Sequence, residues 1–289
     1  MKLSSVIQKK YEQYILHLVD VKLPAKRIHK YNNQYVLNQF KKMLNEVNQW
    51  KTLSYFKDSP NVKFHYKYLQ QLFNKWSSLN IFEDAYELLL TNDYFKLKDI
   101  RKSKKLFLFI DATFIINKYG IECVTKNPEY KKKRVTKLSL ICDENKTILS
   151  VINDETHSNV IKKCVTFSHD VKLVQPTLDN MKITVPKYVS IKLGGDKGYI
   201  TQKQFKINET TVKVIAPKRK NQKTKNTKKE KIILNKRHCV ENSICSFKKY
   251  ERLLVRKDKL IKNYMSFLYL GLCEKLCCAN KLYTNNELI

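Results

Sequence analysis

The sequence predicts an α/β protein in which a small all-helical domain precedes a mixed catalytic domain. Two observations predict this. Through the first hundred residues, apolar side chains recur at helical spacing. From about residue 104 the pattern changes to short alternating runs, and it turns helical again only from about residue 237. Strand, hairpin, strand, helix, strand and C-terminal helices is an α/β order. A chain of 289 residues has room for two ordinary domains. The expected bounds are 1–100 and 104–280.

The helical region rests on three stripes. Val36, Phe40, Met43, Val47 and Trp50 form the first, Leu69, Leu72, Phe73 and Trp76 the second, and Phe82, Ala85 and Leu89 the third. Asp58-Ser59-Pro60-Asn61 punctuates between the first two as a stop and restart. Short helices with basic polar faces suit a DNA-binding domain, and they equally suit a helical scaffold with no groove contact.

The strands follow in order. LFLFID (106–111) is an apolar run that ends in an acid. KLSLICD (137–143) and TILSVIND (147–154) alternate and are joined by Glu144-Asn145-Lys146, which reads as a hairpin. VSIKL (189–193) and TVKVIAP (211–217) are further strands, with a helix expected between them. The basic stretch 218–231, KRKNQKTKNTKKEK, reads as a solvated loop; an import signal or a phosphate-gripping arm would look the same.

Composition narrows the function. Apolar residues make up 43% of the chain, enough for a real core. No run approaches the ~18 apolar residues of a membrane span. The first residues lack the apolar block of a secretory signal, so an intracellular protein is expected. Lys and Arg exceed Asp and Glu by 57 to 26, a net +31 that favours a polyanionic partner, nucleic acid above all. Only seven of the basic residues are Arg, and the chain is rich in Lys, Asn, Ile and Tyr. Part of the charge is therefore compositional. The eight Cys include no CxxC pair and no nearby His at zinc-finger spacing, so they read as buried thiols in a reducing compartment.

Scarcity makes two clusters informative. Gly194, Gly195 and Gly198 are three of five glycines, and Arg237, Arg252 and Arg256 are three of seven arginines. Both clusters flank acids. Asp196 sits in Gly-Gly-Asp-Lys-Gly-Tyr (194–199), just after a strand, and Glu241 sits at the start of a helix. Asp111 ends LFLFID. An acid at the C-terminal end of a strand lies where α/β proteins place their sites, and flanking glycines admit close backbone approach. Converging carboxylates repel unless a cation joins them, and hard Mg²⁺ or Mn²⁺ suits oxygen ligands. Two such ions ~3.5–4 Å apart serve phosphodiester chemistry.

If the helix at Glu241 runs to about Arg252, then Arg237, Glu241, Lys248 and Arg252 share one face. An ordinary i,i+4 pair of Arg237 with Glu241 would give the same local spacing. Asp143 and Asp154 end strands as well and read as structural, Asp143 because it opens a turn. Asp170 and Asp179 lie in a polar segment without punctuation. His157 and His238 are candidates for proton transfer or DNA contact, against an ordinary structural role.

These segments resemble the DDE transposases of bacterial insertion-sequence type, the IS-five/IS-four-like class with a ribonuclease H-like catalytic domain. Ile110-Asp111-Ala112-Thr113 looks like the first catalytic segment of that family, and Gly195-Asp196-Lys197-Gly198-Tyr199 is similar to the second. Residues 237–272 resemble the third, with Arg-x3-Glu-x6-Lys, then Arg-Leu and Arg, then Tyr264 and Phe267. The family often carries a Tyr three residues before that first Arg, where this chain has Leu234. The resemblance covers roughly 27–272, since Gln49-Trp50 and Trp76 are similar to a tryptophan-bearing helical segment upstream.

The resemblance implies a DNA transposase. Asp111, Asp196 and Glu241 would hold two Mg²⁺ (or Mn²⁺) ions for strand cleavage at element ends and for strand transfer. Arg237 would steady Glu241, while Lys248 and Arg252 would grip phosphate. The helical region would bind double-stranded DNA at the terminal repeats, and a homodimer would assemble on two ends. The setting would be cytoplasmic in a prokaryote or nuclear in a eukaryote. Two other readings share these residues: a domesticated, catalytically silent DNA-binding protein, and a ribonuclease H-like nuclease that does not join strands.

Overall fold

A computed structural model describes residues 3–23, 32–46, 49–51, 66–94, 104–127, 131, 133–155, 168–207, 209–219 and 225–283. The Asp58-Ser59-Pro60-Asn61 punctuation and His157 lie outside the described residues. The chain divides into two compact units, one of residues 1–89 and 247–289 and the other of 90–246. This differs from the expected bounds of 1–100 and 104–280. The C-terminal helices do not close the mixed domain; their apolar residues join the core of the N-terminal helices.

The helical unit opens with α1 (Leu3–Lys22), α2 (Asn33–Asn45), α3 (Tyr66–Ser78) and α4 (Ile81–Leu89). The predicted stripes become buried faces: Val36, Phe40 and Met43 in α2, Leu69, Phe73 and Trp76 in α3, and Phe82, Ala85 and Leu89 in α4. Asn32 caps α2 by accepting from the Gln34 amide at 2.9 Å. Asn80, at φ 56°, turns the chain from α3 into α4 in a conformation Asn tolerates.

The mixed unit is built on a sheet. Its strands are β1 (Lys105–Asn117), β2 (Thr125–Lys126), β3 (Arg134–Asp143), β4 (Ile148–Asn153), β5 (Ser190–Gly194) and, after a separate β6 (Phe205–Ile207) and β7 (Thr210–Val212) ladder, β8 (Val214–Ile215). β1 pairs antiparallel with β3 from Leu108↔Asp143 to Ile116↔Val135. On its other edge β1 pairs parallel with β5 from Lys105↔Ser190 to Phe109↔Gly194. β5 in turn pairs parallel with β8, and β4 pairs antiparallel with β3 as the predicted hairpin. Every β3 residue after Arg134 is buried, as expected of a strand covered on both faces.

Helices α5 (Asp170–Asp179), α6 (Lys228–Asn235) and α7 (His238–Phe247) complete this unit. The buried hydroxyls of Ser139 in β3 and Thr177 in α5 meet at 2.8 Å, and Ser150 of β4 donates to the Thr177 carbonyl at 2.6 Å. Ser243 of α7 donates to the Lys146 carbonyl in the β3–β4 turn at 2.8 Å. Lys146 itself takes φ 68° in that turn.

Four expectations change. β1 does not stop at Asp111 but continues to Asn117, because the residues after it have β3 as a partner. No α-helix lies between β5 and β8 among the described residues; a 3₁₀ turn (Lys197–Tyr199) and β6 take its place. The 218–231 stretch is not all loop. Thr227 and Glu230 form a reciprocal capping box that starts α6, and Asn226 closes the loop neck through the Lys218 amide and the Ala216 carbonyl. Finally, α7 ends at Phe247, and the Tyr250 amide bonds the Phe247 carbonyl in a turn. After it come α8 (Glu251–Leu254), β9 (Val255–Arg256) and α9 (Ile261–Tyr283).

Back in the helical unit, the aromatic stripes meet α9. Phe73 stacks on Phe267 at 4.1 Å, and Phe40 meets both Phe73 and Trp76 edge-on. Arg252 lies over the Phe267 ring at 4.3 Å and over Trp50 at 5.5 Å, with its guanidinium on Asp258 at 2.7 Å. Arg252 is 3% exposed. Its expected grip on phosphate is therefore corrected: the guanidinium is already spent on an internal pair. Arg252→Ala would strand the Asp258 carboxylate in the core, a loss of ~3–5 kcal/mol. Urea denaturation of the variant tests this, and a midpoint equal to wild type would mean that the pair is not a structural element.

Candidate active site

Register sets the site. The parallel pairing of β1 with β5 ends at Phe109↔Gly194. Asp111 and Asp196 each follow two residues later, so neighbouring strands deliver both carboxylates to one place. Asp111 keeps its antiparallel partner Leu140 in β3. On the β5 side the chain leaves the sheet, and Asp196 caps the 3₁₀ turn by accepting from the Gly198 amide at 2.8 Å.

The glycines allow this crowding. A Cβ on Gly194 would meet the Phe109 ring at 3.0 Å, and one on Gly195 would meet the Tyr199 ring at 3.0 Å. A Cβ on Gly198 would meet Asp170 Oδ2 at 2.9 Å and Asp196 Oδ1 at 3.0 Å. Close approach, not unusual backbone torsion, is what excludes side chains at all three.

Glu241 arrives from the first turn of α7, where an acid suits the helix dipole. Arg237, immediately before the helix, joins it to the sheet. Its guanidinium is 2.6 Å from Glu241 Oε1 and 4.0 Å from Asp111 Oδ2. The i,i+4 pair thus exists, and the same side chain also reaches the β1 acid. Asp111, Asp196, Glu241 and Arg237 are brought together within the mixed unit. Lys248 and Arg252 belong to the helical unit, with Lys248 half-buried in the turn after α7.

The electrostatics follow from this convergence. The Asp111 carboxyl is pushed up to about 6, first by burial and then by the charges of Asp196 and Glu241; the Ala112 amide and Arg237 oppose the rise. Burial also raises the Tyr199 phenol, assisted by Asp170, Asp111 and Asp196. Repulsion among the carboxylates is real at Asp111, and Arg237 offsets only part of it. Among the described residues, no three His, Cys, Asp or Glu side chains already stand at metal-holding spacing. The donor set nonetheless suits a hard divalent cation: three carboxylates whose fields overlap, with an arginine between two of them.

One participant is absent from the sequence reading. Asp170, at the start of α5, lies against Gly198 beside Asp196, and the buried Lys137 of β3 holds it at 2.6 Å. The lone Pro176 and the polar run around it hide this helix from a reading by spacing. The acids read as structural behave so: Asp143 accepts from the Thr147 amide and Asp154 from the Ser168 amide, each at 2.8 Å. His238 bonds the Asn235 carbonyl at 2.9 Å. Cys123, Cys142, Cys239, Cys273 and Cys277 are buried free thiols, and Cys245 is exposed. Among the described residues no helix is long and apolar enough to cross a membrane.

With this geometry in view, one comparison is decisive for the class of chemistry. Residues 137–259 match the family model of the transposase DDE domain. The match supports a DDE transposase. It spans Asp196, Glu241 and Arg237 and begins downstream of Asp111. No curated protein and no solved structure matches the chain.

The raised Asp111 carboxyl has a measurable consequence. Its folded value of about 6 lies above its ordinary 3.8. Its contribution to stability is therefore full below pH ~4 and is lost as pH rises through ~6. In metal-free protein, Asp111→Asn removes this loss. The variant should be more stable than wild type at pH 7.5, by roughly 1–3 kcal/mol, and show a flatter stability profile between pH 4 and 7. Thermal melts across that range decide it; a variant less stable than wild type at pH 7.5 would mean that Asp111 is not under charge strain.

Proposed function

We propose that the chain is a DNA transposase that cuts DNA at the ends of its element and transfers the freed strand, with Asp111, Asp196 and Glu241 as the catalytic carboxylates. The observation that carries this reading is the β1–β5 register. It sets Asp111 beside Asp196 while Arg237 links Asp111 to Glu241, within and next to a stretch that matches the transposase DDE domain. The sheet order β4-β3-β1-β5-β8, with an antiparallel half and a parallel half, supports a ribonuclease H-like reading of the mixed unit.

Asp111, Asp196 and Glu241 would hold two Mg²⁺ or Mn²⁺ ions. Bound there, such ions supply Lewis-acid activation of the attacking oxygen and charge stabilisation of the leaving one. The protein's own groups do the rest. The Asp196 turn fixes one carboxylate on the Gly198 amide, and the Ala112 amide fixes Asp111 by donating at 2.8 Å. Arg237 orients Glu241 and restrains charge repulsion until a cation takes up that task. Lys248 remains the candidate for holding phosphate. The +31 charge and the helical unit serve double-stranded DNA, both element ends and target, and two copies would act on two ends. Such a protein works inside the cell, where its buried thiols stay reduced.

The test uses a duplex carrying the sequences that flank the reading frame. Asp111→Asn, Asp196→Asn and Glu241→Gln should each abolish Mg²⁺-dependent cutting while retaining binding, since these side chains serve the chemistry rather than the duplex contact. A variant that cuts at the wild-type rate removes that residue from the triad. Joined products separate transposition from plain nuclease action.

The basic segment flanking α6 should behave differently. Neutralising Lys225, Lys228, Lys229 and Lys231 should weaken binding to all sequences alike. It should also flatten the slope of log K against log salt by about 0.9 for each phosphate no longer neutralised. Cutting at saturating DNA should survive. Salt titration paired with single-turnover cleavage reads both, and failure to cut at saturation would place these lysines at the reacting phosphate instead.

A further inference from the structure

We infer that the Lys137 ammonium is a built-in cation that keeps Asp170 out of metal coordination and so directs divalent ions to Asp111, Asp196 and Glu241. The inference rests on the assignment of Asp196 as a metal ligand. Its own observations are separate.

Asp170 and Asp196 share Gly198. Asp170 Oδ2 and Asp196 Oδ1 lie 2.9 and 3.0 Å from the point where a Gly198 Cβ would stand, which bounds the separation of the two oxygens at about 5.9 Å. Two carboxylates that close, on the rim of a metal site, are an alternative pair of ligands for a hard cation. Asp170 is only partly covered, with its side chain 30% exposed. What fills its coordination is Lys137. The Lys137 Nζ lies 2.6 Å from Asp170 Oδ1 and donates to the Ser168 carbonyl at 2.7 Å. It is also 5.7 Å above the Phe114 ring.

The lysine is 5% exposed, in the middle of β3. A buried lysine costs desolvation unless a paired acid offsets it. A simple structural pair could sit anywhere along β3. This one sits where a fourth carboxylate would otherwise compete with Asp111 and Glu241 for the ion on Asp196. Lysine suits the task because its ammonium is a compact point charge, held here by an anion, a carbonyl and a ring face.

The charge logic gives the pair a signature that a packing role lacks. Removing a structural lysine should weaken metal binding and cutting together. Removing a metal-excluding lysine should strengthen metal binding while cutting falls, because ions settle between Asp170 and Asp196. A displacement of ~1 Å can cost on the order of 100-fold in rate.

The experiment measures Mn²⁺ binding to the full chain by electron paramagnetic resonance, beside single-turnover DNA cleavage, with thermal melts as a check on folding. Lys137→Gln should bind more Mn²⁺ than wild type and cut more slowly. Lys137→Arg, which keeps the cation, should bind Mn²⁺ as wild type does. Adding Asp170→Asn to Lys137→Gln should return Mn²⁺ binding to the wild-type level. Excess binding that persists in the double variant, or none in Lys137→Gln, overturns the inference. If Lys137→Gln does not fold, Asp170→Asn alone decides: wild-type Mn²⁺ binding supports the inference, and a loss makes Asp170 a ligand and overturns it. Wild-type protein that binds Mn²⁺ without cutting DNA sinks the proposed function, yet leaves the comparison of variants intact.

Discussion

Where the parallel ladder of β1 and β5 stops, at Phe109 and Gly194, two chain segments leave side by side, each carrying an aspartate two residues on. Backbone hydrogen bonds, not side-chain preference, force these carboxylates together. The sheet can hold them only because other features concede to it. Gly194, Gly195 and Gly198 omit the atoms that would collide with Phe109, Tyr199 and the acids themselves. Asp196 spends one oxygen on the Gly198 amide, and Asp111 spends one on the Ala112 amide. Even so, Asp111 holds its proton up to about pH 6. The carboxylates are kept close against their own repulsion, as a cation-binding site requires and a purely structural cluster would avoid.

Two protein cations answer that repulsion in different ways. Arg237 stands between Asp111 and Glu241, 26% exposed, where a competing cation can reach the same oxygens. Lys137 stands behind Asp170, nearly sealed, with a carbonyl and a ring to hold it. An exposed arginine can yield as charge arrives, while a sealed lysine cannot leave without breaking its other contacts. The difference in burial therefore separates a provisional counter-charge from a permanent one. It also sets an order on the four acids near the Asp196 turn, in which three face a replaceable partner or none and the fourth is committed.

Much of this is legible in the sequence, and the failures have physical causes. Asp111, Asp196 and Glu241 stand out because punctuation and dipole logic are local. The length of β1 does not, since an acid looks like an ending when its antiparallel partner lies more than twenty residues away in β3. Spacing carries α7 on to Arg252 because its basic face continues in phase. The chain instead turns after Phe247, a tertiary choice that periodicity does not contain. The start of α6 is legible but masked: Thr227 and Glu230 are a plain capping box within a run that charge alone makes look like loop. α5 is hidden by Pro176 and by its polar composition, and Asp170 with it. Its partner Lys137 is indistinguishable from the chain's other lysines until β3 is buried on both faces.

The arginines show how far scarcity can be read. In a chain where lysine is the default cation, an arginine persists where a point charge does not suffice. That much holds at all three clustered positions. Arg237 reaches two carboxylates at once. Arg252 pairs Asp258 while lying over Phe267. Arg256 donates from separate nitrogens to the carbonyls of Asp258 and Lys259. Each uses the planar fork, with several donors in fixed directions, which an ammonium on a flexible stem does not reproduce. The fork is indifferent to whether its acceptor is a phosphate, a carboxylate or a backbone oxygen. Rarity therefore marks the geometry demanded at a position and not the partner. Arg252 looks like a phosphate ligand by rarity and spacing, and only its burial tells that its acceptor is the protein itself.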